Sequence, residues 1–327
     1  MKLAFTSGLS SALNSGEMAF VVTGATGWLG RALAEMFWEA LGQRKFIERV
    51  ILCGSKNQSM KIGNGVEVPV RLLAEVSKPL GGRPTWLFHF AFLTKDRIGQ
   101  LSDDDYVARN REISQQAISI IESGRVIGVM LASSGAVYDH LHAGKRDAAA
   151  NLYGRLKAED EFRFADACGP RGVKLVRPRV FNLSGPYMNK FTAYALSSII
   201  ADVLQGGPIR LRADKPVLRS YFYLGDLLEL CIRCLVDESL ADTAVTFDTV
   251  GAEVVEVGQL AERVRNVLGR PATPIERPSP CSGAEDRYVG DAKALAPLIA
   301  RYGMEPLPLD DQIIRTADYL RVGIRAQ

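Results

Sequence analysis

"FVVTGATGWLG", residues 20–30, runs an apolar, β-branched stretch straight into three glycines spaced three apart, Gly24, Gly27 and Gly30. Residues 19–23 have the composition of a short buried strand. In "LGRALAEMFWEALG", apolar positions recur at helical spacing and Gly42 stands as the stop. A strand, Gly-x-x-Gly-x-x-Gly and a helix in this order make a turn where the backbone can approach a pyrophosphate without Cβ atoms in the way. The helix starting there offers free N–H groups and a positive dipole end. The same stretch also reads as a plain tight turn, so the decision rests on the rest of the chain.

Outward from this turn, strands are predicted at "RVILC", "VEVPVRLL", "TWLFHFAF", "VIGVMLAS" and "GVKLVRP", with helical patterns over about 103–123 and 151–168. Alternation of this kind implies a parallel sheet covered on both faces, and right-handed crossovers make it a doubly wound, Rossmann-type α/β domain. We place that domain at residues 18–183. After 183 the rhythm changes: "SGPYMN" and "QGGPIRL" bracket a helical "FTAYALSSIIADVL", and shorter elements follow. Residues 184–327 are therefore read as a smaller mixed α/β substrate lobe, with "FYLGDLLELCIRCL" and "AVTFDTV", about 220–250, returning to complete the sheet. Residues 1–17 read as an extension, an extra helix or a loose tail, and Met18 stands as an alternative start.

Forty Lys+Arg against 37 Asp+Glu leave a dispersed net charge of +3, which does not point to nucleic acid. No apolar run reaches the roughly 18 residues of a membrane span, and no secretory signal is evident. Five scattered cysteines, Cys53, Cys168, Cys231, Cys234 and Cys281, argue against a disulfide framework and for a reducing, cytoplasmic compartment. The "CIRC" pair falls on a helical pattern without a second Cys or His pair, and "HLH" at 140–142 has no carboxylate partner. Neither is read as a metal site.

"LYGRLKAEDEF" puts Tyr153 and Lys157 four apart on one helix face. A phenol is a poor acid or base near neutrality, and a neighbouring ammonium favours its ionised form. The preceding strand ends in "LASSGAVYD", so Ser133 and Ser134 stand at a sheet's C-terminal edge, where ligands bind and a hydroxyl can bond a reacting oxygen. At the end of the second strand an NAD site usually carries an acid for the ribose 2′-hydroxyl. "VILCGSKNQS" has none, and Ser55 and Lys56 offer the hydroxyl and cation that a 2′-phosphate wants. This favours NADP over NAD.

Taken together these pieces resemble the extended short-chain dehydrogenase/reductases, the NAD-dependent epimerase/dehydratase family. The matching motifs are "TGATGWLG", "FHFAF", Asn110 in the next helix, "SSGAVY", "YGRLK", "RPRVFNLSGP" and "RSYFYLGD", with "RYVGDAKALAPLIARYGMEPLPLDDQI" resembling the closing segment. The resemblance implies that Tyr153 is the acid/base, that Lys157 lowers its pKa and holds the nicotinamide ribose, and that Ser134, four before Tyr138, bonds the reacting oxygen. It implies cofactor contacts at Gly24, Thr26, Gly27, Trp28, Leu29, Gly30, Ala91, Asn110, Tyr153 and Lys157, and substrate contacts at Ser134, Asn182 and Arg219, the last on a nucleotide-sugar diphosphate. A homodimer through the 103–123 and 151–168 helices is implied as well. The chain departs from the family where an acid is expected after the third strand, unless Glu75 substitutes, and where Asp139 replaces a glycine.

The implied substrate is a nucleotide-activated sugar. Dehydratases of that class carry Asp-Glu after the catalytic hydroxyl, whereas Gly135 and Ala136 stand here, which disfavours a 4,6-dehydratase. C4 epimerisation and reduction of a 4-keto sugar both remain open. Two other readings stay beside them: a reductase of a small non-sugar carbonyl, which would not need Arg219, and a non-catalytic dinucleotide sensor, which would have no use for Ser134, Tyr153 and Lys157 together.

Overall fold

The computed structural model describes residues 3–63, 65–76, 82–142, 152–240, 242–278 and 283–325. Cys281 and residues 143–151 lie outside these, as do the side chains of the "HLH" histidines. In chain order the elements are α1 (Ser7–Ser15), β1 (Ala19–Thr23), α2 (Trp28–Arg49), β2 (Val50–Gly54), β3 (Gln58–Ile62), β4 (Val66–Leu72), β5 (Thr85–His89), α3 (Asp103–Ser123), β6 (Val126–Leu131), β7 (Ser133–Ser134), α4 (Ala136–His142), α5 (Leu152–Cys168) and β8 (Lys174–Val180). Then follow β9 (Leu183–Ser184), α6 (Ala195–Gln205), β10 (Ile209–Arg210), β11 (Val217–Arg219), β12 (Phe222–Tyr223), α7 (Leu224–Val236), β13 (Ala244–Asp248), β14 (Val255–Glu256), α8 (Val257–Val267), β15 (Ile275–Glu276), β16 (Asp286–Tyr288), α9 (Leu295–Arg301) and α10 (Leu309–Arg325).

The large sheet has the order β13-β8-β6-β5-β1-β2-β4-β3, with β7 beside β8. Its pairs β4–β2, β2–β1, β1–β5, β5–β6 and β6–β8 are parallel, and only the β3–β4 hairpin is antiparallel among the described pairings. The strand order reverses between β1 and β5, the switch point at which doubly wound sheets bind their ligands. Side chains alternate across the sheet with period two. Phe20 and Phe88 meet Phe37 on one face, Phe20 stacked on it at 4.4 Å, and Trp86 meets Phe20 edge-on. Val21, Leu87, Val129 and Leu131 face Ala117, Ile118, Ile121 and Phe164 of α3 and α5 on the other. Each such side chain contributes about 1.5–3 kcal/mol by leaving water.

Three details differ from the sequence expectation. The short β3 was not anticipated, because the hairpin's outward positions Ser59 and Lys61 are polar and its register comes from pairing with β4. Gly42 does break the first helix, at φ 70° and ψ 163°, but helical turns resume to Arg49. Of the 220–250 stretch only β13 joins the large sheet. "LGDLLELCIRCLV" is helix α7, which is buried on nearly every side, Leu227, Leu228, Leu230, Cys231, Ile232 and Cys234 alike.

The chain separates into two compact units, residues 3–180 with 228–247, and residues 181–227 with 248 onward. The N-terminal segment from Leu3 belongs to the first. Leu3, Phe5, Leu9 and Leu13 are buried, Phe5 packs on Phe37, and Thr6 donates to Glu229 through its N–H at 3.0 Å and its hydroxyl at 2.7 Å. Cys231 and Cys234 are buried on α7 and form no disulfide. The second unit gathers α6, α8 and α10 around Leu196, Ile200, Leu260, Val264, Ile313 and Ala317, beside the three-stranded β14-β11-β16 sheet. Among the described residues no helix is long and apolar enough to cross a membrane, and no group of His, Cys, Asp and Glu is placed to hold a metal.

Candidate active site

The glycine turn is dictated by the space around it. Gly24 has φ 66°, a left-handed conformation that side chains resist, and a Cβ there would lie 2.8 Å from the Ala91 nitrogen. A Cβ on Gly30 would lie 2.3 Å from the Gly24 oxygen. Gly27 closes the turn by donating to Gly24 O at 2.9 Å and leads directly into α2, so the first N–H groups of that helix, from Trp28 on, start at the switch point. Thr26 is exposed at the turn's crest. A glycine turn that leads into a helix N-terminus at the switch point fits the pyrophosphate of a dinucleotide.

Beside the turn, the strand end after β5 is fastened by Thr23. Its Oγ1 accepts the Phe90 and Ala91 N–H groups at 3.2 Å each, and lies 2.9 Å from His89 Nδ1. With both N–H groups accepted, the Thr23 hydroxyl proton is assigned to Nδ1. Burial, with Lys157 nearby, holds His89 down at about 3, so the imidazole is neutral. Asn110 spends its amide on the backbone: Oδ1 accepts Leu93 N–H at 2.8 Å, and Nδ2 donates to Tyr106 O at 3.1 Å. It thereby shapes the loop that carries Ala91.

Tyr153 and Lys157 stand one turn apart on α5. Lys157 is 5% exposed, donates to Ala132 O at 2.9 Å, and lies 3.8 Å from the centre of the Phe92 ring. Burial lowers its pKa from 10.5 to about 8, opposed by Asp160 and Glu161. The Tyr153 ring meets the same Phe92 edge-on at 5.6 Å, and Lys95 Nζ lies 5.3 Å from its centre.

The two serines are not equivalent. Ser133 Oγ donates to Glu161 Oε1 at 2.5 Å, whereas Ser134 Oγ accepts the Ala136 N–H at 3.2 Å. Glu161 also takes a bidentate pair from Arg179, at 2.9 and 2.7 Å, and Arg179 donates to the Tyr138 hydroxyl at 2.8 Å. Burial would raise the Glu161 carboxyl, but the hydrogen bonds from Arg179 and Ser133 outweigh it and keep it ionised. Asp160, bonded to Ser114 at 2.6 Å, is pushed up by burial. Thr23, His89, Phe92 and Arg179 fall inside the motifs "TGATGWLG", "FHFAF" and "RPRVFNLSGP" without having been given a role, and Glu161 lies outside any motif. For Glu161 the signal was its place four after Lys157, on the same helix face.

Ser55 and Lys56 are exposed between β2 and β3, and the adjoining Asn57 donates to Glu75 at 3.0 and 3.2 Å. In the second unit, Asn182 Nδ2 donates to Tyr288 O at 3.1 Å. There too, Arg219 donates to both Asp286 carboxylate oxygens at 3.3 and 3.2 Å, and to the carbonyls of Leu218 and Asp286 at 2.9 Å each.

The model of the NAD dependent epimerase/dehydratase family matches residues 20–245 of the 327. The chain belongs to that family. Its fold is shared with a UDP-N-acetylglucosamine 4-epimerase from Methanobrevibacter ruminantium M1, at 16% identity and TM-score 0.69, covering 93% of this chain and 98% of that one. The UDP-glucose 4-epimerase of Thermus thermophilus, solved with NAD, is similar at 22% identity and TM-score 0.64, over 93% and 99% of the two chains. An NAD-dependent NDP-hexosamine 5,6-dehydratase of tunicamycin biosynthesis is similar at 16% identity and TM-score 0.65, over 93% and 97%. No curated protein matches this epimerase/dehydratase-family chain in sequence.

Proposed function

We propose that the protein transfers hydride at C4 of a nucleotide-activated sugar, with Tyr153 as the acid/base. The observation that carries this reading is the Tyr153/Lys157 pair on α5 in the same compact unit as the Gly24–Ala91 turn at the switch point. The dinucleotide, when bound, supplies the hydride acceptor or donor. Tyr153 exchanges a proton with the sugar oxygen, Lys157 favours the ionised phenol, and Ser134 donates to the same oxygen. Ser133 is committed to Glu161, which favours Ser134 in that role. The solved relatives named for UDP-sugars support the substrate class. Asn182 and Arg219 are assigned to the substrate, with Arg219 exchanging its Asp286 contacts for a diphosphate. Gly135 and Ala136 leave no acid pair beside Ser134, so 4,6-dehydration is not proposed.

The test is turnover of a panel of UDP- and dTDP-hexoses and their 4-keto derivatives by purified protein. Conversion of none of them, with tight dinucleotide binding, would leave the non-sugar carbonyl reductase and the sensor. The cofactor is proposed to be NADP, which favours keto-sugar reduction, whereas NAD⁺ copurifying with the protein would favour epimerisation. Lys56→Glu is expected to reduce the NADPH/NADH preference about tenfold, as loss of one charge-assisted bond does. An unchanged ratio in paired KM measurements would remove Lys56 from the 2′ end.

A homodimer through α3 and α5 is proposed. Phe162 projects from α5 with 74% exposure, on the helix pair joined by Arg111–Glu159 at 2.7 Å and by Arg163–Gln115. An exposed aromatic bordered by paired charges has the make-up of an interface centre. Phe162→Asp is expected to halve the mass in light scattering, and a monomeric wild type would refute the placement.

A further inference from the structure

The loop after β5 is anchored on both sides of Phe92. Upstream, Phe90 and Ala91 donate their N–H groups to Thr23 Oγ1. Downstream, Leu93 N–H donates to Asn110 Oδ1 at 2.8 Å, and Leu93 O accepts the Tyr106 hydroxyl at 2.6 Å. Tyr106 and Asn110 are themselves buried in α3. The ring between these anchors packs with Tyr106, Leu152 and Leu156, presents its face to Lys157 Nζ at 3.8 Å, and meets the Tyr153 ring at 88°.

The face of an aromatic ring is its negative pole, and its attraction for an ammonium grows as water is excluded. Lys157 is almost fully buried, so the ring replaces hydration that the ammonium has lost. We propose that Phe92 is a positioning residue: its face seats the Lys157 ammonium against Ala132 O, and its side holds the Tyr153 ring, aligning both groups before ligands bind. The placement stands on the geometry of the first unit, and its catalytic consequence rests on the function proposed above. The other groups near Lys157 are Asp160 and Glu161 on α5, which favour its charge, and neutral His89 on β5. Lys95 faces Tyr153.

The experiment is an NMR titration of the Lys157 ε-carbon in cofactor-free, lysine-labelled protein. Phe92→Leu keeps bulk but loses the ring face, and is expected to lower the Lys157 midpoint by about one pH unit. Phe92→Tyr and Phe92→Trp should leave it near the wild-type value. Mono-, di- and trifluorophenylalanine at 92 keep the shape while draining the face, so the midpoint should fall stepwise with each fluorine, even if the Leu variant misfolds. A midpoint that does not move along the fluorinated series overturns the proposal and leaves Phe92 as packing. In turnover at about pH 9, well above the midpoint, Phe92→Leu should lower kcat about tenfold with KM for the sugar unchanged, the fold-change matching that shift, and Phe92→Tyr should restore it. A stepwise midpoint in a protein that converts no nucleotide sugar would sustain the seat of Lys157 and refute the function instead.

Discussion

Tyr153→Phe is expected to lower nucleotide-sugar turnover by at least about a hundredfold, because general acid–base groups contribute roughly 10²–10⁴. Phenylalanine keeps the edge-on contact with Phe92, so melting temperature and dinucleotide affinity should stay near wild type. Turnover within a few-fold of wild type would sink the assignment of Tyr153. The wild-type pH profile supplies a companion check. Burial puts the Lys157 midpoint at about 8, so the ammonium that supports the phenolate is present below that pH and lost above it. The kcat/KM of the free enzyme should therefore fall as pH rises through about 8. A profile flat from 7 to 9.5 would detach Lys157 from catalysis.

Gly30→Ala is expected to be among the most damaging single methyls in the described residues. Its Cβ would stand 2.3 Å from Gly24 O and 2.7 Å from the Ala25 Cα, and both are main-chain atoms that cannot swing aside. Overpacking of this kind costs about 3 kcal/mol or more, since the turn must separate from α2. Calorimetry should show a melting temperature lower by about 5 °C or more. Dinucleotide affinity should fall by about two orders of magnitude as the turn moves, a loss of about 3 kcal/mol. Gly207→Ala serves as control, because nothing lies within 4 Å of a Cβ at that position. Equal dinucleotide affinity in the two variants would show that the turn does not bind the pyrophosphate.

Much of this was legible in the chain itself because it is local. Glycine spacing after an apolar strand, Tyr153 and Lys157 four apart, and the strand–helix alternation are short-range patterns with direct backbone consequences. The β3 hairpin was not legible, since polar Ser59 and Lys61 carry no strand signal without their partner strand. Nor was the packing of the N-terminal segment, where Phe5 and Thr6 find Phe37 and Glu229 far along the chain.

The amino-acid sequence by itself determined the doubly wound class, the glycine turn and the helix face that unites Tyr153 with Lys157. Only the tertiary structure decided what surrounds them. It committed Ser133 to Glu161, turned Asn110 to the loop backbone, made His89 neutral, and set the Phe92 ring beneath the Lys157 ammonium. The reason is physical: periodicity says which face a side chain takes, whereas burial, charge state and hydrogen-bond partners depend on residues brought together from distant strands and helices.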